Sequence, residues 1–213
     1  MAEIKAGTAA RTDASGAADL VLASASPFRR KLLEAAGVAF RVAPAKVDEA
    51  AIKRGPGAGL RPAALAETLA GAKAEVVSRE RRESLVIGSD QVAALGDRVF
   101  DKPANVAEAR AHLVELRGKT HRLFTAVALA QDGQVVWRKT ESASLTMRRF
   151  SDEFLERYLA EGGERLTQMA GAYEIEGRGI QLFERVDGDH FTIIGLPLVP
   201  LLAELRARGA LPA

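Results

Sequence analysis

Two serines and two arginines surround the start of a helix that the sequence predicts after a short apolar run. Ser24 and Ser26 precede Pro27, and Arg29 and Arg30 lie in the first turn. A helix N-terminus presents free backbone N–H groups and a partial positive charge, which together favour phosphate. Arginines in a first turn oppose the helix dipole unless an anion binds there. This segment therefore predicts a phosphate site, the alternative being a capped helix with solvated arginines, and Arg30 is the one expected at the surface.

Carboxylates follow two of the predicted strands. Asp48 and Glu49 close a predicted strand over residues 40–47, and Asp90 follows the wholly apolar residues 85–88. In open α/β sheets, ligands bind beyond the carboxyl ends of strands, and Asp90 has that position. A carboxylate there can hold a hard cation such as Mg²⁺ or accept a proton from water. The alternative is an aspartate that only caps a loop.

Other polar residues carry weaker signals. Taken singly, Lys73, Gln91 and Lys102 are ordinary polar residues, and lysines in such positions are more often solvated surface charges. The glycine-rich residues 171–179 lack the pattern of a dinucleotide site but could bring Glu176 to a cleft. The histidines lack metal-ligand spacing and are expected to be structural. They are His112, His121 and His190.

Composition narrows the class of protein. The 213 residues suffice for one domain, or two closely packed lobes, with a hydrophobic core. The 30 Lys and Arg against 28 Asp and Glu leave a net charge of +2, which argues against a dedicated nucleic-acid binder. The absence of cysteine excludes disulfides, thiolate metal sites and a cysteine nucleophile. No apolar run is long enough to predict a membrane span.

The first residues are rich in Ala, Gly, Thr and Ser and contain no apolar core of a signal peptide. We expect residues 1–18 to form a disordered extension of a cytoplasmic protein. Residues 19–213 are then expected to form a single domain.

The predicted elements place these residues on an α/β fold. Strands are predicted over residues 20–24, 40–47, 85–88, 120–130 and 134–146, and helices over 27–36, 62–78, 106–117, 152–160 and from 197. Residues 92–100 resemble a hairpin arm interrupted at Gly96-Asp97. Asp132-Gly133 and Asp187-Gly188 each predict a two-residue hairpin turn, the second joining strands over 180–186 and 190–194. Because strands and helices do not alternate strictly, a mixed sheet is predicted instead of a Rossmann domain.

Several segments, in one order along residues 20–208, resemble the signatures of the Maf family. These are residues 23–30 (ASASPFRR), 47–49 (VDE), 87–92 (IGSDQV), 101–103 (DKP), 118–121 (GKTH), 170–173 (AGAY) and 195–198 (GLPL). The resemblance implies a two-lobed fold similar to inosine triphosphate pyrophosphatases. In that fold, helices flank a central mixed β-sheet and a cleft separates the lobes.

The resemblance also implies an activity, which is hydrolysis of a nucleoside triphosphate to a monophosphate and diphosphate. It implies a divalent cation (Mg²⁺, with Mn²⁺ or Co²⁺ as alternatives) and a homodimer. Asp90 matches the catalytic proton acceptor, and Glu49 matches an acidic residue that helps to hold metal or water. Lys102 matches a further catalytic position. The positions that match substrate-binding residues are Ser24, Arg29 and Lys73.

Three positions concern the base of the nucleotide. Phe28, Gln91 and Glu176 depart from the thymidine and uridine triphosphate branch of the family and are similar to its 7-methyl-GTP branch, although that branch commonly has Trp where this chain has Phe28. The positive charge of a methylated guanine attracts an aromatic face by about 0.5–2 kcal/mol. Glu176 could accept hydrogen bonds from the N1–H and 2-amino groups of guanine. The alternatives are a broad or pyrimidine-preferring pyrophosphatase, and a nucleotide-binding regulator of septum formation without turnover.

Overall fold

The computed structural model describes residues 19–212, and the extension expected over residues 1–18 lies outside that range. Its strands are β1 (Leu20–Leu22), β2 (Arg41–Val42), β3 (Leu85–Leu95), β4 (Arg98–Phe100), β5 (Thr120–Gln131), β6 (Gln134–Met147) and β7 (Phe183–Asp187). They form one seven-stranded sheet in the order β2-β1-β3-β5-β6-β7, with β4 also paired to β3. The pairs of β1 are parallel and the other pairs are antiparallel. The predicted α/β class with a mixed sheet is therefore confirmed.

The helices are α1 (Pro27–Ala35), α2 (Glu49–Arg54), α3 (Pro62–Glu80), α4 (Val106–Leu116), α5 (Asp152–Gly162), α6 (His190–Ile194) and α7 (Leu198–Ala207). Two 3₁₀ segments cover Gly163–Gln168 and Arg178–Leu182. Ser26, Asn105 and Ser151 accept backbone N–H groups at the starts of α1, α4 and α5, as predicted from their cap chemistry. Within residues 19–212, no helix is both long and apolar enough to cross a membrane.

The core follows the alternation of side chains along the strands. Leu20 and Leu22 of β1 pack on the face that carries α1 and α7, whereas Val21 packs on the face that carries α3. A third cluster joins β5 and β6 to α4 and α5. Alanines dominate the face under α3, and these small side chains let the helix approach the sheet closely. They are Ala66, Ala70, Ala74, Ala126, Ala128 and Ala130.

The closest approach of α3 to the sheet occurs at Gly88. A Cβ atom on Gly88 would lie 2.3 Å from the carbonyl oxygen of Ala70 and 2.7 Å from the backbone nitrogen of Ala74. Only glycine fits this position without displacing the helix. The contact fixes Lys73 of α3 above the residues that follow Gly88 in β3.

Three predicted strands differ from the structure, and one of them is a helix. The strand predicted over residues 40–47 is confined to Arg41–Val42, because Pro44 has no N–H for the sheet and Asp48 instead caps α2 by accepting from Ala51. The second Asp-Gly turn leads into helix α6 and not into a strand over residues 190–194, because Asp189 accepts the N–H of Thr192 at 2.7 Å and begins a helix. The strand predicted over residues 180–186 becomes a 3₁₀ segment followed by β7.

The first Asp-Gly turn is confirmed. Asp132 and Gly133 both have positive φ angles, 51° and 74°, as a two-residue hairpin turn requires, and they join β5 to β6. The hairpin of β3 and β4 is also confirmed, with Ala93 opposite Phe100.

Candidate active site

Two adjoining pockets lie where α1, α2 and α3 meet β3. The first, the proximal pocket, has a volume of about 510 Å³ and is lined by Asp90, Gln91 and Glu176, among others. The second, the distal pocket, has a volume of about 560 Å³ and is lined by Ser24 and Ala45, among others. Both are lined by the same five predicted site residues, which are Phe28, Arg29, Glu49, Lys73 and Lys102. The fold thus brings all nine predicted site residues to these two pockets, which together are called the cleft below.

Asp90 occupies a different backbone position from the one predicted. It lies inside β3, opposite Ala126 of β5, and not after the end of the strand. The antiparallel partner β5 extends β3 beyond its apolar part. The parallel neighbour β1, however, ends at Leu22 opposite Ile87. Asp90 therefore still lies beyond the carboxyl end of a parallel strand, where the ligand sites of α/β sheets occur.

Lys73 links the two carboxylates of the cleft. Its Nζ atom lies 2.5 Å from Oδ1 of Asp90 and 2.7 Å from Oε1 of Glu49. The side chains of Lys73 and Asp90 are only 13% and 10% exposed, so this ammonium group is not the solvated surface charge that its sequence context favours. The close contact at Gly88 explains its position, because Lys73 lies on the turn of α3 that rests on β3.

The charges around Glu49 keep its carboxylate ionised. Partial burial raises the pKa of Glu49, but the hydrogen bond and charge of Lys73, with the charges of Lys53 and Lys102, outweigh that effect. The resulting pKa lies below the ordinary value of a glutamate. The carboxylate is therefore available as an anion in the cleft at neutral pH.

Arg29 is fixed by contacts from two separate segments. Its Nε atom donates to the carbonyl oxygen of Gly195 at 2.8 Å, and its Nη1 atom donates to Oγ of Ser24 at 3.2 Å. Ser89 also donates to the Gly195 carbonyl, at 3.1 Å. Burial lowers the pKa of the Arg29 guanidinium, and the carboxylates of Asp90 and Glu49 oppose that shift. This cation thus lines the cleft, and the hydrogen bonds that it donates within residues 19–212 leave several of its N–H donors unused.

The neighbouring arginine is different. Arg30 is exposed and pairs with Glu34 one turn along α1, with 2.7 Å between Nε and Oε1. It lines neither pocket. The expectation that Arg30 is a surface residue is confirmed.

The amide of Gln91 is held by the end of α6. Its Nε2 atom lies 2.9 Å from Oγ1 of Thr125 and 3.1 Å from the carbonyl oxygens of Thr192 and Ile193. The hydroxyl of Thr125 also donates to the Thr192 carbonyl. These contacts fix which way the amide points. None of the hydrogen bonds within residues 19–212 uses its Oε1 atom, which is thus left as an acceptor beside the pocket.

Lys102 and Glu176 are two exposed charged residues of the cleft. Among residues 19–212, Lys102 forms no ion pair within 4.0 Å, although its charge contributes to lowering the pKa of Glu49. Glu176 lies in the loop between the two 3₁₀ segments and lines the proximal pocket, as expected for this loop. The half-buried ring of Phe28 lines both pockets.

Several residues that line the two pockets were not among the predicted site residues. Lys53 of α2 forms an ion pair with Asp101 at the edge of the proximal pocket. Arg165 lies 3.5 Å from Glu174 at the edge of the distal pocket. The position of Asp101 directly before Lys102 was the one available signal. No signal pointed to Lys53, because no helix was predicted after Asp48.

The buried histidines are structural, as expected. His121 lies 2.7 Å, Nε2 to Oη, from the hydroxyl of Tyr173, and burial lowers the pKa of His121 to about 4. His112 packs edge-on against Phe100. Within residues 19–212, no three His, Asp or Glu side chains form a group that could hold a metal ion.

Comparison with known proteins identifies a family. The model of the Maf-like protein family matches residues 19–208. A 7-methyl-GTP pyrophosphatase of Rhizobium johnstonii is 53% identical over 193 residues, which cover 90% of this chain and 97% of the relative. A 7-methyl-GTP pyrophosphatase of Brucella suis is 50% identical and covers 88% and 94%. A nucleoside triphosphate pyrophosphatase of Paramagnetospirillum magneticum is 50% identical and covers 90% and 99%.

Proposed function

The chain belongs to the Maf family, and we propose that it hydrolyses a nucleoside triphosphate between the α- and β-phosphates. The products are a nucleoside monophosphate and diphosphate. The observation that carries the proposal is the carboxylate pair of Asp90 and Glu49 around Lys73, in a cleft that also contains Arg29 and Lys102. Hydrolysis of a phosphoanhydride needs a proton acceptor for water and cations for the leaving group, and this cleft contains both.

Asp90 is the proposed proton acceptor. As the oxygen of water bonds to the α-phosphorus, the bond to the bridging oxygen breaks, and its electron pair leaves with the diphosphate. Asp90 takes the proton of the attacking water. The ammonium group of Lys73, 2.5 Å away, orients this carboxylate through their ion pair.

Arg29, Lys102 and Ser24 are the proposed phosphate ligands. A guanidinium has five N–H donors, and among residues 19–212 the bonds of Arg29 to Gly195 and Ser24 engage two of them. The Oγ atom of Ser24 accepts from both Arg29 and the backbone of Ser26, so its hydroxyl hydrogen can be donated to a phosphate oxygen. Positioned cations of this kind stabilise the charge that develops as the diphosphate leaves.

Glu49 and Asp90 suit a divalent cation. Proteins usually hold Mg²⁺ through one or two carboxylates together with substrate phosphates, and two carboxylates face this cleft without a larger acidic cluster among residues 19–212. When bound, such a cation neutralises phosphate charge and lowers the pKa of coordinated water. We propose Mg²⁺, with Mn²⁺ or Co²⁺ as alternatives.

A 7-methylated guanine is the proposed base. Phe28 offers an aromatic face, the fixed amide of Gln91 offers an acceptor, and Glu176 offers a carboxylate at the same pocket. A positively charged base that donates hydrogen bonds fits this set better than a neutral pyrimidine does. The names of several relatives support the same choice.

The two-lobed division, the homodimer and the cytoplasmic location stay predictions.

The test is a comparison of nucleotides with Mg²⁺ and separation of the products. We expect 7-methyl-GTP to give 7-methyl-GMP and diphosphate with a higher kcat/KM than GTP, UTP, TTP or CTP. If UTP or TTP gives the highest value, the pyrophosphatase activity stands and the assignment of the base is wrong. No release by the folded protein with Mg²⁺, Mn²⁺ or Co²⁺ would overturn the activity and favour a nucleotide-binding regulator.

A further inference from the structure

The proximal pocket contains what a nucleoside and its α-phosphate need. Gln91 and Glu176, the proposed ligands of the base, line the proximal pocket and not the distal one, and so does Asp90. The cations Arg29, Lys73 and Lys102 line both pockets. A nucleotide with its base beside Glu176 and its α-phosphorus beside Asp90 therefore directs its outer phosphates towards the distal pocket.

The distal pocket is large for a leaving diphosphate alone. Its volume of about 560 Å³ exceeds that of the proximal pocket, at about 510 Å³. Volumes of about 300–1,000 Å³ are typical of sites that hold a whole small organic ligand. The second pocket thus has room for a group comparable in size to the nucleoside in the first.

The residues that line only the distal pocket also differ in polarity from the charged residues that line both pockets. Seven residues line the distal pocket and not the proximal one. Five of them are small and apolar, namely Ala23, Ala25, Pro27, Pro44 and Ala45, and the other two are Ser24 and Arg165. Apolar walls cannot replace the water around a polyanion, whereas they do favour the burial of an uncharged organic group. Polar side chains return at the edge, where Arg165 lies 3.5 Å from Glu174.

We propose that the distal pocket binds an organic group esterified to the terminal phosphate, so that the chain also cleaves dinucleoside triphosphates. This inference rests on the proposed pyrophosphatase activity. Water bonds to the α-phosphorus of the nucleotide in the proximal pocket, and the bond to the oxygen that bridges to the β-phosphorus breaks. Asp90 takes the proton, and the electron pair leaves with a nucleoside diphosphate. The products are one nucleoside monophosphate and one nucleoside diphosphate.

The probe is the triphosphate that joins the 5′ positions of 7-methylguanosine and guanosine, measured beside 7-methyl-GTP. We expect cleavage to 7-methyl-GMP and GDP, with a kcat/KM within about tenfold of that for 7-methyl-GTP, since one site binds both. Cleavage of 7-methyl-GTP alone would overturn the inference and leave the proposed function standing. Cleavage of neither would overturn both. The products 7-methyl-GDP and GMP would place the methylated base in the distal pocket and overturn the assignment of the pockets.

Filling the distal pocket provides the structural test. Pro44 is exposed and lines the distal pocket but not the proximal one, whereas Pro56, which is also exposed, lines neither. We expect Pro44→Trp to lower kcat/KM for the dinucleotide by about tenfold or more and to leave 7-methyl-GTP cleavage unchanged. The control Pro56→Trp should change neither value. Equal losses for both substrates in Pro44→Trp, or no loss for the dinucleotide, would overturn the inference.

A second pair of variants covers the case in which Pro44→Trp fails to fold. Ala25 is exposed and lines the distal pocket, and Ala58 is exposed on the turn after α2. Ala25→Trp should discriminate against the dinucleotide, and Ala58→Trp should not. A folded Ala25→Trp variant that cleaves the dinucleotide as well as the unmodified chain does would contradict the proposed occupant of the pocket.

Discussion

The cleft and the core beneath α4 and α5 both contain polar side chains withdrawn from water, but they hold them in opposite states. In the cleft, Lys73 is flanked by Asp90 and Glu49, so each charge has an opposite partner. In the core, His121 and Tyr173 contact each other at 2.7 Å, and burial lowers the pKa of the histidine and raises that of the tyrosine. Both of these groups are therefore neutral at pH 7.

The difference shows that the chain places buried charged groups at the proposed active site and buried neutral polar groups in the packed core. A buried charge is costly unless it is paired, and in the cleft the buried ammonium group of Lys73 lies between two carboxylates. The core keeps polar groups without charge, and these groups fix the loop that borders the cleft. The hydroxyl of Tyr158, for example, donates to the carbonyl of Ala172 in that loop.

The largest expected effect comes from removing one charge of the cleft. Asp90→Asn keeps the shape of the side chain but cannot accept the proton of water. We expect kcat/KM to fall by about 10²–10⁴-fold, the usual contribution of a general base. The fold should persist, because Lys73 keeps its ion pair with Glu49.

The matched control is Asp97→Asn in the exposed turn between β3 and β4, which lines neither pocket. It should leave kcat/KM unchanged. The two variants are compared by steady-state kinetics and by thermal unfolding. A folded Asp90→Asn variant with near-normal turnover would show that this carboxylate is not the proton acceptor.

Contacts between distant residues across the cleft, such as that of Lys73 with Asp90, could not be predicted from the sequence. The caps at Ser26 and Asn105 and the turn at Asp132-Gly133 were predictable, because each depends on neighbouring residues in the chain. The contact of Lys73 with Asp90 depends instead on the packing of α3 over Gly88, which no local pattern encodes. The resemblance to a family supplied the role of Lys73, and the packing supplies the reason.

Local signals also competed where the prediction was wrong. Asp187-Gly188 has the residues of a hairpin turn, but Asp189 directly after it has the residue type of a helix cap, and the cap prevailed. The same happened at Asp48, which caps α2 after Pro44 has interrupted the strand. In both places the helix-capping aspartate is visible in the sequence, but the local pattern does not show whether the helix cap or the strand will form.

The next effect concerns the neutral core. Unfolded His121 takes up a proton below pH 6.5, whereas the folded protein resists protonation down to a pKa of about 4. The unfolded state therefore binds more protons in this window, and the free energy of unfolding falls as the pH falls from 6.5 to 4. The expected loss from this residue is about 3 kcal/mol, from about 1.36 kcal/mol per unit of pKa.

Denaturant unfolding at a series of pH values measures this loss. The variant His121→Gln should have a shallower dependence over the same window, although it is less stable at pH 7 because Tyr173 loses its partner. The control is His190→Gln, since His190 is exposed at the start of α6. Its pH dependence should match that of the unmodified chain, and an unchanged dependence in His121→Gln would contradict the prediction.

A smaller effect is expected from substitutions that change which base is preferred and leave the residues proposed for hydrolysis in place. The double variant Phe28→Arg with Glu176→Gln replaces an aromatic face by a cation, which repels the positive charge of 7-methylguanine. We expect the ratio of kcat/KM for UTP to that for 7-methyl-GTP to rise about tenfold, on the scale of one cation–π contact. An unchanged order of substrates would remove the argument that these positions select the base.

The smallest effect is expected at the arginine that faces solvent. Arg30→Ala removes an exposed pair with Glu34, and such helix pairs contribute about 0.3–0.5 kcal/mol. The free energy of unfolding should change by no more than that amount, and kcat/KM should not change. Arg29→Ala, one residue earlier, should lower kcat/KM strongly. Equal kinetic losses in the two variants would contradict the distinction between cleft and surface.

Hydrolysis of 7-methyl-GTP in water enriched in oxygen-18 tests most directly whether water attacks the α-phosphorus. Asp90 lines the proximal pocket, where the nucleoside is proposed to bind, so the attacked phosphorus should be the one that stays with the nucleoside. We predict that mass spectrometry finds the heavy oxygen in 7-methyl-GMP and none in the diphosphate. Heavy oxygen in the diphosphate, or release of single phosphates, would contradict this placement of the reaction.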